Sequence, residues 1–216
     1  MSASLPNPVP EPRVRIISRA DLALLEIRRY EGDICLATTP DDLARAQSDI
    51  MQESVVGFDT ETRPSFRRGE RYPPCLVQVA TARAVYLFQL SSEGSFPLIA
   101  ELLASPRIVK AGVAMADDLR PLRQVFPFEA RRVVDLGIEA DRSGIEQTGL
   151  RNLAGIFLGF RIPKGTSTSN WSTPRLSPAQ ITYAATDAWA CRELYLQFEV
   201  RGMLGPATSE GPPHSS

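Results

Sequence analysis

The segment "SVVGFDTET", residues 54–62, combines a buried strand with two closely spaced acids. Its first half is apolar and β-branched, which is typical of a strand buried inside a sheet. Its second half carries Asp59 and Glu61, whose side chains leave the same face because residues two apart on a strand do so. At ~4 Å and an effective dielectric constant near 20, two such charges repel by roughly 4 kcal/mol. Two alternatives follow: the strand has ended and both acids are solvated, or a cation neutralises them.

Other short apolar segments surround this strand along the chain. The further strand candidates are "DICLAT", "CLVQVA", "AVYLFQL", "RIVKAGV" and "RRVVDLG". Only "TAR", residues 81–83, separates the second candidate from the third, which predicts an antiparallel hairpin. Helical segments alternate with the later strands. This order predicts an α/β domain whose mixed sheet is antiparallel on one side and parallel on the other.

The last predicted helix carries a tyrosine and an acid on one face. It begins at the N-cap Ser177, with Pro178 at the first helical position and Gln180 as the reciprocal capping partner. Tyr183 and Asp187 are four residues apart on this helix and therefore neighbours. Taken alone, this pair could be a tyrosine that is hydrogen-bonded to a carboxylate and has no further role.

A further pair of acids, Asp117 and Asp118, follows the strand "RIVKAGV" and opens a predicted helix. Acids in the first turn of a helix are stabilised by the helix dipole. Taken alone, this pair has no need of a functional explanation.

The composition bounds the class of protein. The chain has 216 residues, of which 43% are hydrophobic and 23% are charged, and is long enough for one globular domain with a sizeable core. Its formal net charge is -1. A chain so close to neutral lacks the overall basic charge that many nucleic-acid binders carry. Any nucleic acid is therefore held by a local patch or through bound metal.

The cysteines and the apolar runs favour a cytoplasmic protein. Cys35, Cys75 and Cys191 are far apart and form no C-x-x-C pair, which is typical of a reduced compartment. No apolar run approaches the ~20 residues that a membrane span needs. We therefore expect no membrane association and no secretory signal.

The ends of the chain differ in composition from its middle. Residues 1–12 predict a flexible leader, residues 13–203 a single domain, and residues 204–216 a disordered tail rich in Pro, Gly and Ser. The single histidine, His214, lies in that tail. The predicted domain therefore has no means for Ser-His-Asp chemistry, Cys-His chemistry or a histidine-ligated zinc site.

Together, the three acidic segments resemble the motifs of the DEDD superfamily of 3'-5' exonucleases. "FDTET", residues 58–62, is similar to the first motif, "KAGVAMADDL", residues 110–119, to the second, and "YAATDA", residues 183–188, to the third. A tyrosine four residues before the last acid is typical of the DEDDy branch. The likeness is greatest to ribonuclease D and the Werner exonuclease domain and extends over about residues 33–197. The chain ends soon after its last helix, so we expect a stand-alone exonuclease domain.

The resemblance implies a fold, a set of metal ligands and a reaction. The implied fold is ribonuclease H-like, with a mixed five-stranded sheet that has three antiparallel strands. The implied cofactor is Mg²⁺ or Mn²⁺, two ions per site, and Tyr183 would orient the attacking water. Asp117 is the less favoured alternative for the third acid. The implied metal ligands are Asp59, Glu61, Asp118 and Asp187.

The implied reaction is two-metal hydrolysis of phosphodiester bonds from the 3' end of single-stranded RNA or DNA, releasing nucleoside 5'-monophosphates. Arginine and lysine grip phosphates without regard to sequence, and Arg63 and Arg67 follow the acidic strand together with Arg68 and Arg71. The alternative is an ordinary solvated loop. The residues predicted to bind substrate are Thr62, Arg63, Phe66, Arg67, Lys164 and Arg175.

Two rival functions remain open from the sequence. One is a nucleic-acid-binding module that has lost turnover, and the other is a ribonuclease H-like metal nuclease that cuts internally. The retained acids and Tyr183 argue against the first. No obligate protein partner is evident, and the sequence does not decide between RNA and DNA.

Overall fold

The computed structural model describes residues 16–65, 72–164 and 169–205 of the chain. The predicted leader and almost all of the predicted tail lie outside these residues, so their assignment stays a prediction. The described part contains a sheet with helices on both faces. Its strands are β1 (Asp33–Leu36), β2 (Val55–Thr62), β3 (Pro74–Ala80), β4 (Ala84–Gln89), β5 (Val109–Gly112) and β6 (Val133–Asp135). Its helices are α1 (Arg19–Leu24), α2 (Pro40–Ile50), α3 (Phe96–Ala104), α4 (Met115–Leu122), α5 (Leu136–Arg142), α6 (Leu150–Leu153) and α7 (Pro178–Val200).

The sheet has the strand order β1-β4-β3-β2-β5-β6. The central strand β2 is antiparallel to β3 and parallel to β5, and β3 and β4 form the predicted antiparallel hairpin. The mixed α/β sheet is therefore confirmed. The expected total of five strands is wrong, because Asp33–Leu36 pairs with β4 in parallel and adds a sixth strand at that edge.

The predicted start of α7 is observed, and α2 begins in the same way. In α2, Thr39 and Asp42 form a capping box, in which each side chain accepts a hydrogen bond from the other's backbone N–H. In α7, Ser177 and Gln180 form the same arrangement. Among the described residues, no helix combines the length and the apolar character that crossing a membrane requires.

The two faces of the sheet carry different layers. On one face, Val56 and Phe58 of β2 join Val77 and Val79 of β3 in an apolar cluster with residues of α2, α3 and α4. On the other face, Leu76 and Ala80 of β3 pack against three alanines of α7. The alanines are Ala184, Ala185 and Ala188. Because side chains alternate along β2, Asp59 and Glu61 lie on the α7 side.

Candidate active site

Three acids meet where the end of β2 faces the middle of α7. Asp59 and Glu61 come from β2, and Asp187 comes from α7. Each offers one carboxylate oxygen, and these oxygens all lie within 4.8 Å of one another. The strand alternation that the sequence predicted therefore places Asp59 and Glu61 together, and the helix adds a third carboxylate to the same cluster.

Glycine at position 57 allows this close approach of strand and helix. A Cβ atom built at Gly57 would collide with the backbone carbonyl of Ala188 and would lie 2.8 Å from the backbone nitrogen of Arg192. The backbones of β2 and α7 are thus in direct contact two residues before Asp59 and one residue after Asp187. Only glycine leaves room for such a contact.

Asp118 approaches the cluster from the start of α4. The Thr60 hydroxyl donates a hydrogen bond of 2.5 Å to Asp118 Oδ1, and the negative charge of Asp118 contributes to raising the pKa of Asp59. Asp117 instead faces solvent and pairs with Arg120 at 3.3 Å. Of the two adjacent acids, the structure therefore brings Asp118, and not Asp117, to the cluster.

The turn between β5 and α4 sets the position of Asp118. Ala114, the N-cap of α4, has the left-handed conformation with φ of 59°, which costs an L-residue roughly 1–2 kcal/mol. Asp135 at the end of β6 accepts a 2.8 Å hydrogen bond from the backbone N–H of Met115. This bond ties the first residue of α4 to the sheet.

Burial raises the pKa of all four acids, and repulsion by other acids of the cluster adds to the increase at Asp59 and Glu61. Burial raises the pKa of Asp59 well above its ordinary value, with further increases from Asp118 and Asp187. Burial, Asp187 and Asp118 raise the pKa of Glu61 to about 9. The pKa values of Asp118 and Asp187 are raised to about 7, again mainly by burial. The cluster therefore resists full ionisation unless a positive charge compensates it.

The donor set fits a hard divalent cation. The cluster offers only carboxylate oxygens, which are the ligands that Mg²⁺ and Mn²⁺ prefer. Within the described part of the chain, the buried Oδ1 of Asp187 has no hydrogen-bond partner. A buried acceptor without a partner, on an acid that clusters with two other carboxylates, suits a metal ligand.

Tyr183 lies beside the cluster with its phenol protonated. Burial is the main cause that raises the pKa of Tyr183 well above its ordinary value, and the negative charges of Asp187 and Glu61 raise it further. A hydrogen bond from the tyrosine hydroxyl in turn lowers the pKa of Asp187. The ring of the fully buried Trp171 packs against the Tyr183 ring, with the ring centroids 6.0 Å apart. Tyr183 thus presents a hydroxyl group that is held in place beside the acids.

Most of the described residues predicted to bind substrate are exposed, and none of them belongs to the acidic cluster. Thr62 ends β2 after a bulge at Glu61/Thr62, and the exposed Arg63 lies over the Tyr72 ring at 4.6 Å. Lys164 is exposed. Arg175 lines an open groove of about 590 Å³ that extends along the loop before α7 to Gln180, one turn before Tyr183. The predicted residues Phe66 and Arg67, with Arg68 and Arg71, lie outside the described residues.

Sequence reasoning missed two residues that act on the acids and a third that lies opposite one of them. Thr60 holds Asp118, and the positive charge of Arg151 in α6 lowers the pKa of Asp187. Gln78 lies directly opposite Asp59 in the register of β2 and β3. Only the last carried a sequence signal, since a glutamine stood in the middle of the apolar strand "CLVQVA".

Comparisons with known proteins agree with this geometry. A family model described as 3'-5' exonuclease matches residues 34–202. Ribonuclease D of Gluconacetobacter diazotrophicus is 33% identical over 167 residues, which cover 76% of this chain and 42% of that protein. The bifunctional 3'-5' exonuclease/ATP-dependent helicase WRN of Mus musculus is 32% identical over 181 residues, which cover 79% of this chain and 13% of that protein. The chain thus spans less than half the length of these two relatives.

A solved structure supports the fold. The Aedes aegypti Nibbler EXO domain superposes with a TM-score of 0.71 at 22% identity, covering 82% of this chain and 91% of that one. The ribonuclease H-like α/β fold expected from the sequence is thereby confirmed. Because the family model matches most of the chain, the chain belongs to the 3'-5' exonuclease family, whose members are hydrolases.

Proposed function

We propose that this protein is a divalent-metal-dependent exonuclease that removes nucleoside 5'-monophosphates from the 3' end of single-stranded RNA or DNA. The observation that carries the proposal is the cluster of Asp59, Glu61 and Asp187 oxygens within 4.8 Å, with the Tyr183 hydroxyl beside it. Family membership supplies the direction of cleavage, and the intact acids favour an active enzyme over a module that only binds.

Two cation positions are proposed. Asp59, Glu61 and Asp187 would hold one Mg²⁺ or Mn²⁺ ion, while Asp59 and Asp118 would hold the second. When bound, the pair supplies charge neutralisation, an activated water and stabilisation of the charge that develops on the leaving 3'-oxygen. Thr60 would keep Asp118 turned toward the site through its 2.5 Å hydrogen bond.

Tyr183 would orient the attacking water rather than deprotonate it. Its pKa lies well above neutrality because of burial and the Asp187 charge, so the hydroxyl keeps its proton at working pH. A phenol can donate one hydrogen bond and accept another. Held in place by the Trp171 ring, it would align a water with the scissile phosphorus.

The exposed cations would hold the substrate backbone. Arg175 lines the groove along the loop before α7, and Arg63 and Lys164 are also exposed to solvent, where they could contact phosphates. Arginine and lysine contacts to phosphate position a strand without reading its bases. Thr62, next to Glu61 on β2, would contact the terminal nucleotide. Base identity and the choice between RNA and DNA would then have little influence on binding.

A digest of matched, 5'-labelled single-stranded RNA and DNA oligomers tests the proposal. In Mg²⁺ or Mn²⁺ we expect a ladder of products shortened one nucleotide at a time from the 3' end, and 5'-mononucleotides in the released fraction. Excess chelator should abolish both. Large internal fragments would indicate the endonuclease alternative, and binding without products would indicate the module that lost turnover. Undiminished turnover in chelator would contradict the metal mechanism.

A further inference from the structure

Gln78 of β3 lies beside the site without a role in the mechanism above. It is paired directly with Asp59 across the antiparallel β2–β3 ladder. Residues opposite each other in such a ladder project from the same face, with Cβ atoms ~4.5–5.5 Å apart. Its neighbours two residues away, Leu76 and Ala80, pack against α7. The Gln78 side chain therefore lies in the layer that also holds Asp59 and Asp187.

The Gln78 amide is fully buried and lacks a partner. Its side chain is 0% exposed, and within residues 16–65, 72–164 and 169–205 neither Nε2 nor Oε1 makes a hydrogen bond. A buried polar group without a partner costs roughly 1–3 kcal/mol. Leucine at this position would avoid that cost, since Leu76 and Leu87, beside it on the same face, are also fully buried.

The groups around Gln78 indicate which of them could accept a hydrogen bond from its amide. The three fully buried α7 residues that pack against β3 are alanines, which offer no side-chain hydrogen bond. The carboxylate directly opposite, Asp59, receives a backbone hydrogen bond from Thr60. An ionised carboxylate has about four acceptor positions, so an Asp59 that binds a cation still needs further donors. Metal-binding carboxylates are themselves commonly held by such hydrogen bonds.

We infer that Gln78 is a positioning residue for Asp59: its amide N–H donates to the Asp59 carboxylate when that carboxylate holds a divalent cation, and so fixes the orientation of the ligand. The inference rests on the proposed metal site. This contact would give the buried amide the hydrogen-bond partner that it lacks among the described residues.

The test compares Gln78→Met with Leu87→Met. Leu87 is the residue opposite Gln78 on β4 and is also fully buried, so its variant is a control for a nonpolar change in the same layer. The measurement is the Mn²⁺ dissociation constant by calorimetry without substrate, together with the thermal midpoint of each metal-free variant. Gln78→Leu carries the same test if the methionine variant does not fold.

We expect Gln78→Met to bind Mn²⁺ about 10- to 100-fold more weakly, the range for loss of a residue that orients a ligand. Its metal-free midpoint should equal or exceed that of the wild type, because an unsatisfied amide has been removed. Leu87→Met should bind Mn²⁺ as the wild type does. Wild-type affinity in Gln78→Met would overturn the inference while leaving the proposed function intact. Absence of Mn²⁺ binding by the wild type would overturn both.

Discussion

The acidic cluster and the groove along the loop before α7 are built in opposite ways. In the cluster, Asp187 is only 6% exposed, the backbones of β2 and α7 touch at Gly57, and every acid has a shifted pKa. In the groove, Arg175 is exposed and its loop supplies mostly small polar side chains. Close packing of β2 against α7 positions the acids of the cluster, whereas the groove offers an exposed positive charge. Changes to the first should therefore affect the chemical step, and changes to the second should affect substrate binding.

The largest expected effect is that of Asp187→Asn. Loss of one of the clustered carboxylates should lower the hydrolysis rate by about 10³-fold or more, since cation stabilisation supplies several kcal/mol. The same change removes a buried charge, so the metal-free protein should unfold at an equal or higher temperature. Single-turnover rates and thermal unfolding check the two parts. A fully active Asp187→Asn variant would remove this acid from the mechanism.

Gly57→Ala tests the packing side of the comparison. The added Cβ collides with the Ala188 carbonyl, which should cost about 1–3 kcal/mol in unfolding free energy. The shift of β2 against α7 should also slow hydrolysis by about 10²-fold, the effect of displacing catalytic groups by ~1 Å. Gly94→Ala is the control, because a Cβ there comes no closer than 3.7 Å to Leu43. Equal activity and stability of the two variants would show that the contact is not needed.

Tyr183→Phe separates the positioned hydroxyl from the metal ligands. We expect turnover to fall by roughly 10²-fold, the lower range for a group that handles a proton or orients water, with Mn²⁺ affinity within about twofold of wild type. Tyr195→Phe, further along the same helix, should leave turnover unchanged. Loss of metal binding in Tyr183→Phe would instead make the tyrosine part of the ligand set.

Arg175→Ala tests the charge side and should have the smallest effect. Loss of one exposed cation should weaken binding by about 0.5–1 kcal/mol, or 2- to 5-fold in KM, with kcat unchanged. The slope of log KM against log salt should fall in magnitude by about 0.7, the value for one phosphate contact to a single strand. Arg142→Ala is a control, since Arg142 pairs with Glu139 on α5. An effect confined to kcat would contradict a role in substrate binding.

Local rules predicted much of the fold and the grouping of the acids. Strand alternation placed Asp59 with Glu61, helical spacing placed Tyr183 with Asp187, and the capping box of Ser177 and Gln180 fixed the start of α7. Each of these depends on residues fewer than ten apart in the chain. The mixed order of the sheet also followed from the order of segments and the short "TAR" connection.

Contacts between distant segments could not be predicted in this way. The sixth strand depends on how Asp33–Leu36 pairs with β4, and the Thr60–Asp118 hydrogen bond joins residues 58 positions apart. The approach of Arg151 to Asp187 and the isolation of the Gln78 amide likewise depend on tertiary packing. The functional roles of the exposed arginines stay predictions, since a solvated side chain makes few contacts from which a role could be inferred.

We propose that the four acids form a cation site whose charges are unfavourable without the cation. Each folded-state pKa lies above its unfolded value, with Glu61 at about 9 and Asp187 at about 7, so the metal-free fold binds more protons than the unfolded chain. The stability contributed by these protons is present below about pH 4 and is lost as pH rises through 7 to 9. Lys110 acts in the opposite sense above pH 7, because burial and then Arg132 lower its pKa to about 7.

The most direct measurement is therefore thermal unfolding of the wild type and Asp187→Asn from pH 5 to pH 9, with and without Mn²⁺. Lys110 is common to both proteins, so their difference isolates the acids. We predict that the metal-free wild type loses stability relative to the variant as pH rises, at about 2–4 °C per kcal/mol. Mn²⁺ at pH 8 should raise the midpoint of the wild type but barely change that of the variant. Parallel pH profiles and equal responses to Mn²⁺ would contradict a cation site built on Asp187.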